Sequence, residues 1–277
     1  MRLRLAALAA AVVCTVMLAG CGAGSPGAAE AAREHPHDGA VPGDEGELPA
    51  DESELSGDLT VFAAASLHGV FEDLAEEFTL QHPQARVRFS FAGSADLVAQ
   101  LNAGAPADVL AAADESTMAA AIGAGSVQEE PRIFAANTLV LITPPDNPAG
   151  IGDVSDLAGT DVVVCAPHVP CGAATVELAQ RLGFEVQPVS EEGSVADVLG
   201  KVSSGQARAG LVYRTDARAA GDAVRAVEIP GADDVVNRYP IAVASETSQS
   251  TLAQAWVDFV LGPQGRDALT EAGFRTP

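Results

Sequence analysis

From residue 58 to the C-terminus, short β-rich runs alternate with amphipathic helical stretches, and this alternation restricts the fold more than any other feature of the chain. The runs are 59–63 (LTVFA), 86–91 (RVRFSF), 108–110 (DVL), 138–142 (TLVLI), 161–164 (DVVV), 209–213 (AGLVY) and 241–243 (IAV). After the first of them, Leu67, Val70, Phe71, Leu74 and Phe78 recur at steps of three and four. Glu72, Asp73, Glu76 and Glu77 take the opposite face, as in a helix half-sunk in a core. Val176, Leu178, Ala179 and Leu182 repeat the pattern, as do Trp256, Phe259 and Val260. The alternation predicts an α/β protein with parallel sheets built from βαβ units. In such sheets ligands bind beyond the carboxyl ends of the strands, where helix N-termini present N–H groups without intrahelical acceptors.

Charge narrows the partners. The 277 residues hold 15 Lys+Arg against 38 Asp+Glu, a formal charge of −23. Nucleic acid is excluded, because neutralising phosphates takes clustered cations. Adsorption to an anionic membrane through a basic patch is excluded for the same reason. With 48% apolar residues the chain has material for a real core. Its length suits one large or two modest domains.

Met1-Arg2-Leu3-Arg4 and the uncharged apolar run that follows predict a secretory signal over residues 1–20. Leu18-Ala19-Gly20-Cys21 resembles the lipobox of bacterial lipoproteins. That resemblance implies acyl chains, palmitate among them, on Cys21 and a lipid anchor at the extracytoplasmic face of the cell membrane. Residues 22–57 carry nine acids against Arg33 and have no hydrophobic period, so 21–57 is expected to be a lipidated cysteine and a disordered acidic tether. His35 and His37 read as solvated side chains of that tether. Of the four cysteines, Cys14 leaves with the signal and Cys21 carries lipid. Cys165 and Cys171, six apart in an oxidising compartment, are expected to form a disulfide.

Four strand-to-helix junctions carry polar chemistry. They are 63–67 (AAASL) with Ser66, 91–96 (FAGSAD) with Ser94, 165–172 (CAPHVPCG), and 192–197 (EGSVAD) with Ser194. Each serine taken alone reads as a helix N-cap. Converging on one cleft, hydroxyls and first-turn N–H groups make an anion site without a cationic side chain. Residues 58–277 hold 12 basic and 29 acidic residues, yet remote charges are screened over about 8 Å at physiological salt.

The segments 61–67 (VFAAASL), 91–94 (FAGS), 104–109 (GAPADV) and 113–114 (AD) resemble the molybdate-binding proteins of bacterial molybdate ABC importers. Further matches in the same order are His168-Val169-Pro170 with Gly172, 210–213 (GLVY) with Asp216, 239–243 (YPIAV) and 261–264 (LGPQ), so the resemblance spans 59–277. It implies a type II periplasmic-binding-protein fold: two lobes, each a mostly parallel sheet flanked by helices, closing on one tetrahedral oxyanion. Lobe 1 is expected over 58–137 and 242–277, and lobe 2 over 138–241. The family's ligand groups fall on the Ser66 and Ser94 hydroxyls, the main chain at Cys171 and Val195, and the Tyr213 hydroxyl. Cys171 replaces an alanine common in the family, a change that a main-chain donor tolerates. Asp96 departs from small or hydroxylated residues and is expected to point away or to cap its helix.

The resemblance further implies molybdate or tungstate as ligand and an ABC permease as partner. It implies neither enzymatic activity, nor a cofactor, nor a bare metal cation, and a monomer is expected. A cage of donors alone suits an unprotonated dianion, since a protonated phosphate leaves a donor facing its own O–H at a cost of about 1–3 kcal/mol. The alternative is the same fold holding another oxyanion such as sulfate. Chelated iron is disfavoured with only Tyr213 and Tyr239 in the chain. Cys165, His168 and Cys171 imitate a zinc cluster but lack a fourth ligand at structural spacing. The glycines and Lys201 of 193–201 imitate a P-loop with the wrong spacing.

Overall fold

The computed structural model describes residues 55–128 and 130–277. The secretory signal, Cys21 and all but the last residues of the acidic tether lie outside them. The first strand, β1 (Ser56–Ala64), begins two residues before the expected start of the folded body. Ser56 and Gly57 already pair with Gln84 and Ala85, so the tether ends earlier than its composition suggests.

After β1 come a single 3-10 turn (Ala65–Leu67), α1 (His68–Gln81), β2 (Gln84–Ala92), α2 (Ser94–Asn102), β3 (Val109–Ala111), α3 (Glu115–Gly123) and β4 (Arg132–Asn137). Then follow β5 (Leu139–Thr143), β6 (Val162–Cys165), α4 (Pro170–Leu182), β7 (Ser190–Glu192), α5 (Val195–Ser203), β8 (Ala209–Tyr213), α6 (Arg214–Ala220) and β9 (Arg225–Val227). The chain ends with β10 (Asn237–Val243), α7 (Ser250–Leu261) and α8 (Pro263–Glu271). Two five-stranded sheets result, in the orders β2-β1-β3-β10-β4 and β7-β6-β8-β5-β9. β1 runs parallel to β2 and β3, and β6 runs parallel to β7 and β8. One strand in each sheet runs against the others, β10 between β3 and β4 in the first and β5 between β8 and β9 in the second.

The chain leaves the first sheet between β4 and β5 and returns between β9 and β10. A return after Ile241 is therefore corrected: Asn237, Tyr239 and Ile241 pair with β4, inside the first sheet. Residues 237–240 (NRYP) look like a turn because Pro cannot donate to a ladder. The sheet accommodates Pro240 with a register shift between Tyr239 and Pro240. Strands β4, β7 and β9 also escaped the sequence pattern, being short or polar and without a clean alternation.

Both faces of the first sheet are covered. On one, Leu59, Val61 and Ala63 pack with Val70, Phe71, Leu74 and Phe78 of α1. On the other, Phe62 and Leu110 meet Leu97, Leu101 and Met118 of α2 and α3. Period-two alternation along β1 thus serves two layers. Trp256 of α7, with no exposed surface, joins α1 and β2. Its ring meets Phe71 at 5.8 Å and Phe78 at 5.4 Å edge-on, and Phe89 at 5.9 Å. Among the described residues no helix is long and apolar enough to cross a membrane. Trp256→Ala is expected to cost about 3–5 kcal/mol in urea unfolding, the range for emptying a large aromatic site. A loss below 1 kcal/mol would show that Trp256 does not hold α7 to the sheet.

Candidate functional site

The parallel strands of each sheet end at one cavity. Ala64, Ala65 and Ser66 line it after β1, Ala92, Gly93 and Ser94 after β2, and Ala113 after β3. From the second sheet come Pro170 and Cys171 after β6, Gly193, Ser194 and Val195 after β7, and Tyr213 at the end of β8. All five residues singled out as ligand groups lie on this wall, and no lining residue carries a charge. The enclosed space is small, about 20 Å³ for the centre of a water-sized sphere. A single water needs about 10–15 Å³ by that measure, so the guest is a small one.

Helix starts supply much of the wall. Ser94 is the first residue of α2, Cys171 the second of α4 and Val195 the first of α5, so helix geometry leaves their N–H groups without intrahelical acceptors. The expectation that these serines cap helices holds for Ser194, whose Oγ accepts from Asp197 N at 3.3 Å. It is corrected for the other two. The caps of the 3-10 turn and of α2 are Ala64 and Gly93, without a side-chain bond, and Ser66 and Ser94 sit inside the first turn. Their hydroxyls are released from capping. Ser94, buried, accepts from Ala113 N at 3.0 Å, so its own proton is left to donate. Ser66 Oγ shares a 3.0 Å hydrogen bond with the hydroxyl of Tyr239 on β10.

The Tyr213 hydroxyl is buried and makes no hydrogen bond within the protein. Burial holds its pKa well above that of an ordinary phenol, and the neighbouring Tyr239, Asp114 and Asp216 push the same way, so it keeps its proton. Behind it, the Asp216 carboxyl accepts from Tyr213 N at 3.1 Å. Burial nevertheless pushes that carboxyl up to about 7, outweighing the bond that favours its anion.

The two sheets touch at the mouth. A Cβ placed on Gly93 would lie 2.2 Å from the carbonyl oxygen of Gly193, so glycine is required here by contact. The φ of Gly93, −59°, is open to any residue. Asp96 is exposed on the lip, its carboxylate 3.5 Å from where a Cβ of Gly193 would stand. It lies off the cavity wall, and α2 has no side-chain cap. Deeper in, Asn237 Nδ2 donates to Ala113 O at 3.2 Å and reaches Pro170 O at 3.5 Å, tying wall residues of both sheets.

Cys165 and Cys171 form a disulfide that joins the end of β6 to the first turn of α4. Both sulfurs are spent, and His168 is exposed to solvent, so the zinc-like reading loses its ligands. Lys201 pairs with Glu192 rather than with a phosphate loop. Sequence reasoning missed Tyr239 and Asn237 as parts of the site, while the junction carrying Ser194 was among those it named. A polar-tipped residue within an apolar strand, as in 239–243 (YPIAV), was the available signal for Tyr239.

Known proteins resemble this arrangement closely. A family model of bacterial extracellular solute-binding proteins matches residues 59–275. The molybdate-binding protein ModA of Mycobacterium tuberculosis is 46% identical over 221 residues, covering 79% of this chain and 85% of the relative. Among solved structures, the periplasmic molybdate-binding protein of Azotobacter vinelandii aligns with a TM-score of 0.69 at 24% identity, over 79% of this chain and 99% of that one. The sulfate-binding protein SubI of M. tuberculosis gives the same TM-score at 20% identity, over 79% and 86%. At that identity the structural likeness establishes the type II fold and leaves the ligand to the site. The match over 59–275 and the 46% identity place this chain in the family of bacterial extracellular solute-binding proteins, with the molybdate-binding ModA proteins as its relatives.

Proposed function

We propose that this protein captures molybdate outside the cytoplasmic membrane and delivers it to the permease of an ABC importer. The observation that carries the reading is the polarity of the wall. Ser94 has its acceptor side filled by Ala113 N, Tyr213 is a protonated hydroxyl without a protein partner, and no cation lines the cavity. Such a wall offers protons and asks for acceptors only, which a fully deprotonated dianion supplies. Ser66, Ser94 and Tyr213 act through hydroxyls and Cys171 and Val195 through the main chain, with the 165–171 disulfide holding the Cys171 N–H in place. Charge-assisted hydrogen bonds contribute about 1.5–3 kcal/mol each, so this set supports tight binding after ordering and desolvation costs. Tungstate, of the same charge and nearly the same size, fits the same donors. Sulfate would meet them with stretched contacts, being smaller.

The lobes that close on the ion are proposed as 56–137 with 237–277, and 138–236. The protein acts as a binding monomer, held to the extracytoplasmic face through lipid on Cys21 with residues 22–55 as spacer. The homology to solute-binding proteins supports a binding role rather than a catalytic one.

The direct test is calorimetric titration against molybdate, tungstate, sulfate and phosphate, with a rise in melting temperature as the second readout. Molybdate and tungstate are expected to bind tightly and sulfate weakly, and Ser66→Ala or Ser94→Ala should each weaken molybdate by about 10- to 150-fold without unfolding the chain. Sulfate binding as tightly as molybdate would transfer the assignment to the rival ligand.

Contact at the mouth gives a further expectation. Gly93→Ala should hold the lips apart and weaken molybdate about tenfold or more, while the unliganded protein melts within a few degrees of wild type. Unchanged affinity would mean that the Gly93–Gly193 contact is not part of the bound form.

Asp216 makes binding pH-dependent. A dianion nearby raises its pKa further, because two like charges disfavour each other. Binding therefore takes up protons near pH 7, and affinity falls as pH rises from about 6 to 8, through the folded value of about 7. Titrations in two buffers of different ionisation heat measure the uptake. Asp216→Asn should flatten the profile, and a wild-type profile that is already flat would sink this coupling.

A further inference from the structure

The wall hydroxyl whose polarity the cavity itself does not fix is that of Ser66. Its bond to Tyr239 at 3.0 Å can run either way. If Ser66 donates to Tyr239, its proton is withdrawn from the cavity and its oxygen faces the guest as an acceptor. If Tyr239 donates, the Ser66 proton is free for the guest. The groups behind Tyr239 decide between the two.

Tyr239 has no exposed surface, and its ring is held edge-on by Phe274 at 5.5 Å and Tyr213 at 5.8 Å. Asn137, at the end of β4, is fixed at both ends of its amide. Its Oδ1 accepts from Thr138 N at 3.0 Å, and its Nδ2 donates to Thr215 Oγ1 at 2.7 Å. Ser66 Oγ is thus the one atom within hydrogen-bond distance of the Tyr239 hydroxyl among the described residues, the Asn137 amide being engaged with Thr138 and Thr215. A buried O–H without an acceptor costs about 1–3 kcal/mol, so the phenol of Tyr239, with no exposed surface, turns its proton toward Ser66. Polarity then runs along one line: Tyr239 O–H to Ser66 oxygen, Ser66 O–H into the cavity.

We propose that Tyr239 is a positioning residue that fixes Ser66 as a donor, and so sets the preference of this vertex for an unprotonated oxyanion. The proposal rests on reading the cavity as an oxyanion site. It assigns selectivity to a side chain of the first sheet's returning strand that does not line the cavity. Without the phenol, Ser66 can rotate and accept from a guest O–H. The cage then loses part of its discrimination against a protonated ion.

The test is a double-mutant cycle with Tyr239→Phe and Ser66→Ala, titrated calorimetrically with molybdate and with phosphate near neutral pH, where part of the phosphate carries a proton. Phe keeps the ring in its aromatic surroundings, and a thermal melt of each variant confirms folding. Tyr239→Phe is expected to weaken molybdate by about tenfold in the wild-type background and by less than about twofold on Ser66→Ala, since the effect passes through Ser66. The phosphate-to-molybdate affinity ratio should rise in Tyr239→Phe. Equal losses in both Ser66 backgrounds, or an unchanged affinity ratio, would overturn the proposal and leave Tyr239 a structural residue. A wild-type protein that binds no oxyanion would remove the reading of the cavity, and this inference with it.

Discussion

A hydroxyl has one proton to give, and where that proton goes is set by what its oxygen already accepts. Much of this cavity follows from that rule. The Ala113 N–H fills the acceptor side of Ser94, and the Ser194 hydroxyl is spent on Asp197 at 2.8 Å. Tyr213 is kept protonated by burial and by the carboxylates behind it. None of these groups needs to ionise. The selectivity of the wall therefore lies in the direction of its O–H and N–H bonds, fixed by hydrogen bonds one layer behind the surface. It costs no reorganisation when a guest arrives, and it is insensitive to the screening that weakens surface charge.

This explains how a chain with a formal charge of −23 can hold an anion. Lysine or arginine at the cavity would attract an oxyanion of any protonation state and would not distinguish a guest O–H from a guest oxygen. Oriented donors make that distinction, because each one aimed at a guest proton is left unsatisfied. The acids next to the site act in the same sense. Asp96 on the lip and Asp114 and Asp216 beneath Tyr213 add nothing to attraction, but the lower pair raises the Tyr213 pKa and secures its role as donor. Charge here tunes the donors from behind, while the hydrogen bonds face the guest.

How much of this the sequence declared depends on which residue is asked. The parallel strands β1, β6 and β8 are apolar runs, and amphipathic α1 announces itself through Val70, Phe71, Leu74 and Phe78. Ser66 and Ser94 were legible because each follows a strand and opens a helical turn, whereas Cys171, Val195 and Tyr213 were named only through the family resemblance; all five line the one cavity. What the sequence did not declare depends on contacts far apart along the chain. Ala113 N reaches Ser94 across 19 residues, and Tyr239 reaches Ser66 across 173. No local pattern separates a serine that caps its helix, as Ser194 does, from one whose acceptor side is filled from elsewhere. The place of β10 was misjudged for a related reason: Asn237 and Pro240 have turn-like identities, and only their partners in β4 make them strand.

The unpartnered Tyr213 hydroxyl bears on how closure is coupled to loading. With the lips in contact at Gly93 and Gly193, this hydroxyl is sealed from water and has no protein acceptor. A buried donor left in that state costs about 1–3 kcal/mol. An open cleft would let water satisfy it, so shutting without a guest is penalised by about that amount. On the proposed reading, a guest that accepts from Tyr213 would remove the penalty and add bonds to both sheets at once, from Ser66 and Ser94 on one side and from Cys171 and Val195 on the other. Such a guest would bind the shut form better than an open one, which is the differential affinity any ligand-driven closure requires. At about 1.4 kcal/mol per factor of ten, a phenol left without an acceptor on shutting would favour an open, empty form by about 5- to 150-fold. A permease that recognises the shut form would then meet mostly loaded protein, and the discrimination between empty and full would come from a single hydroxyl that the fold leaves unsatisfied.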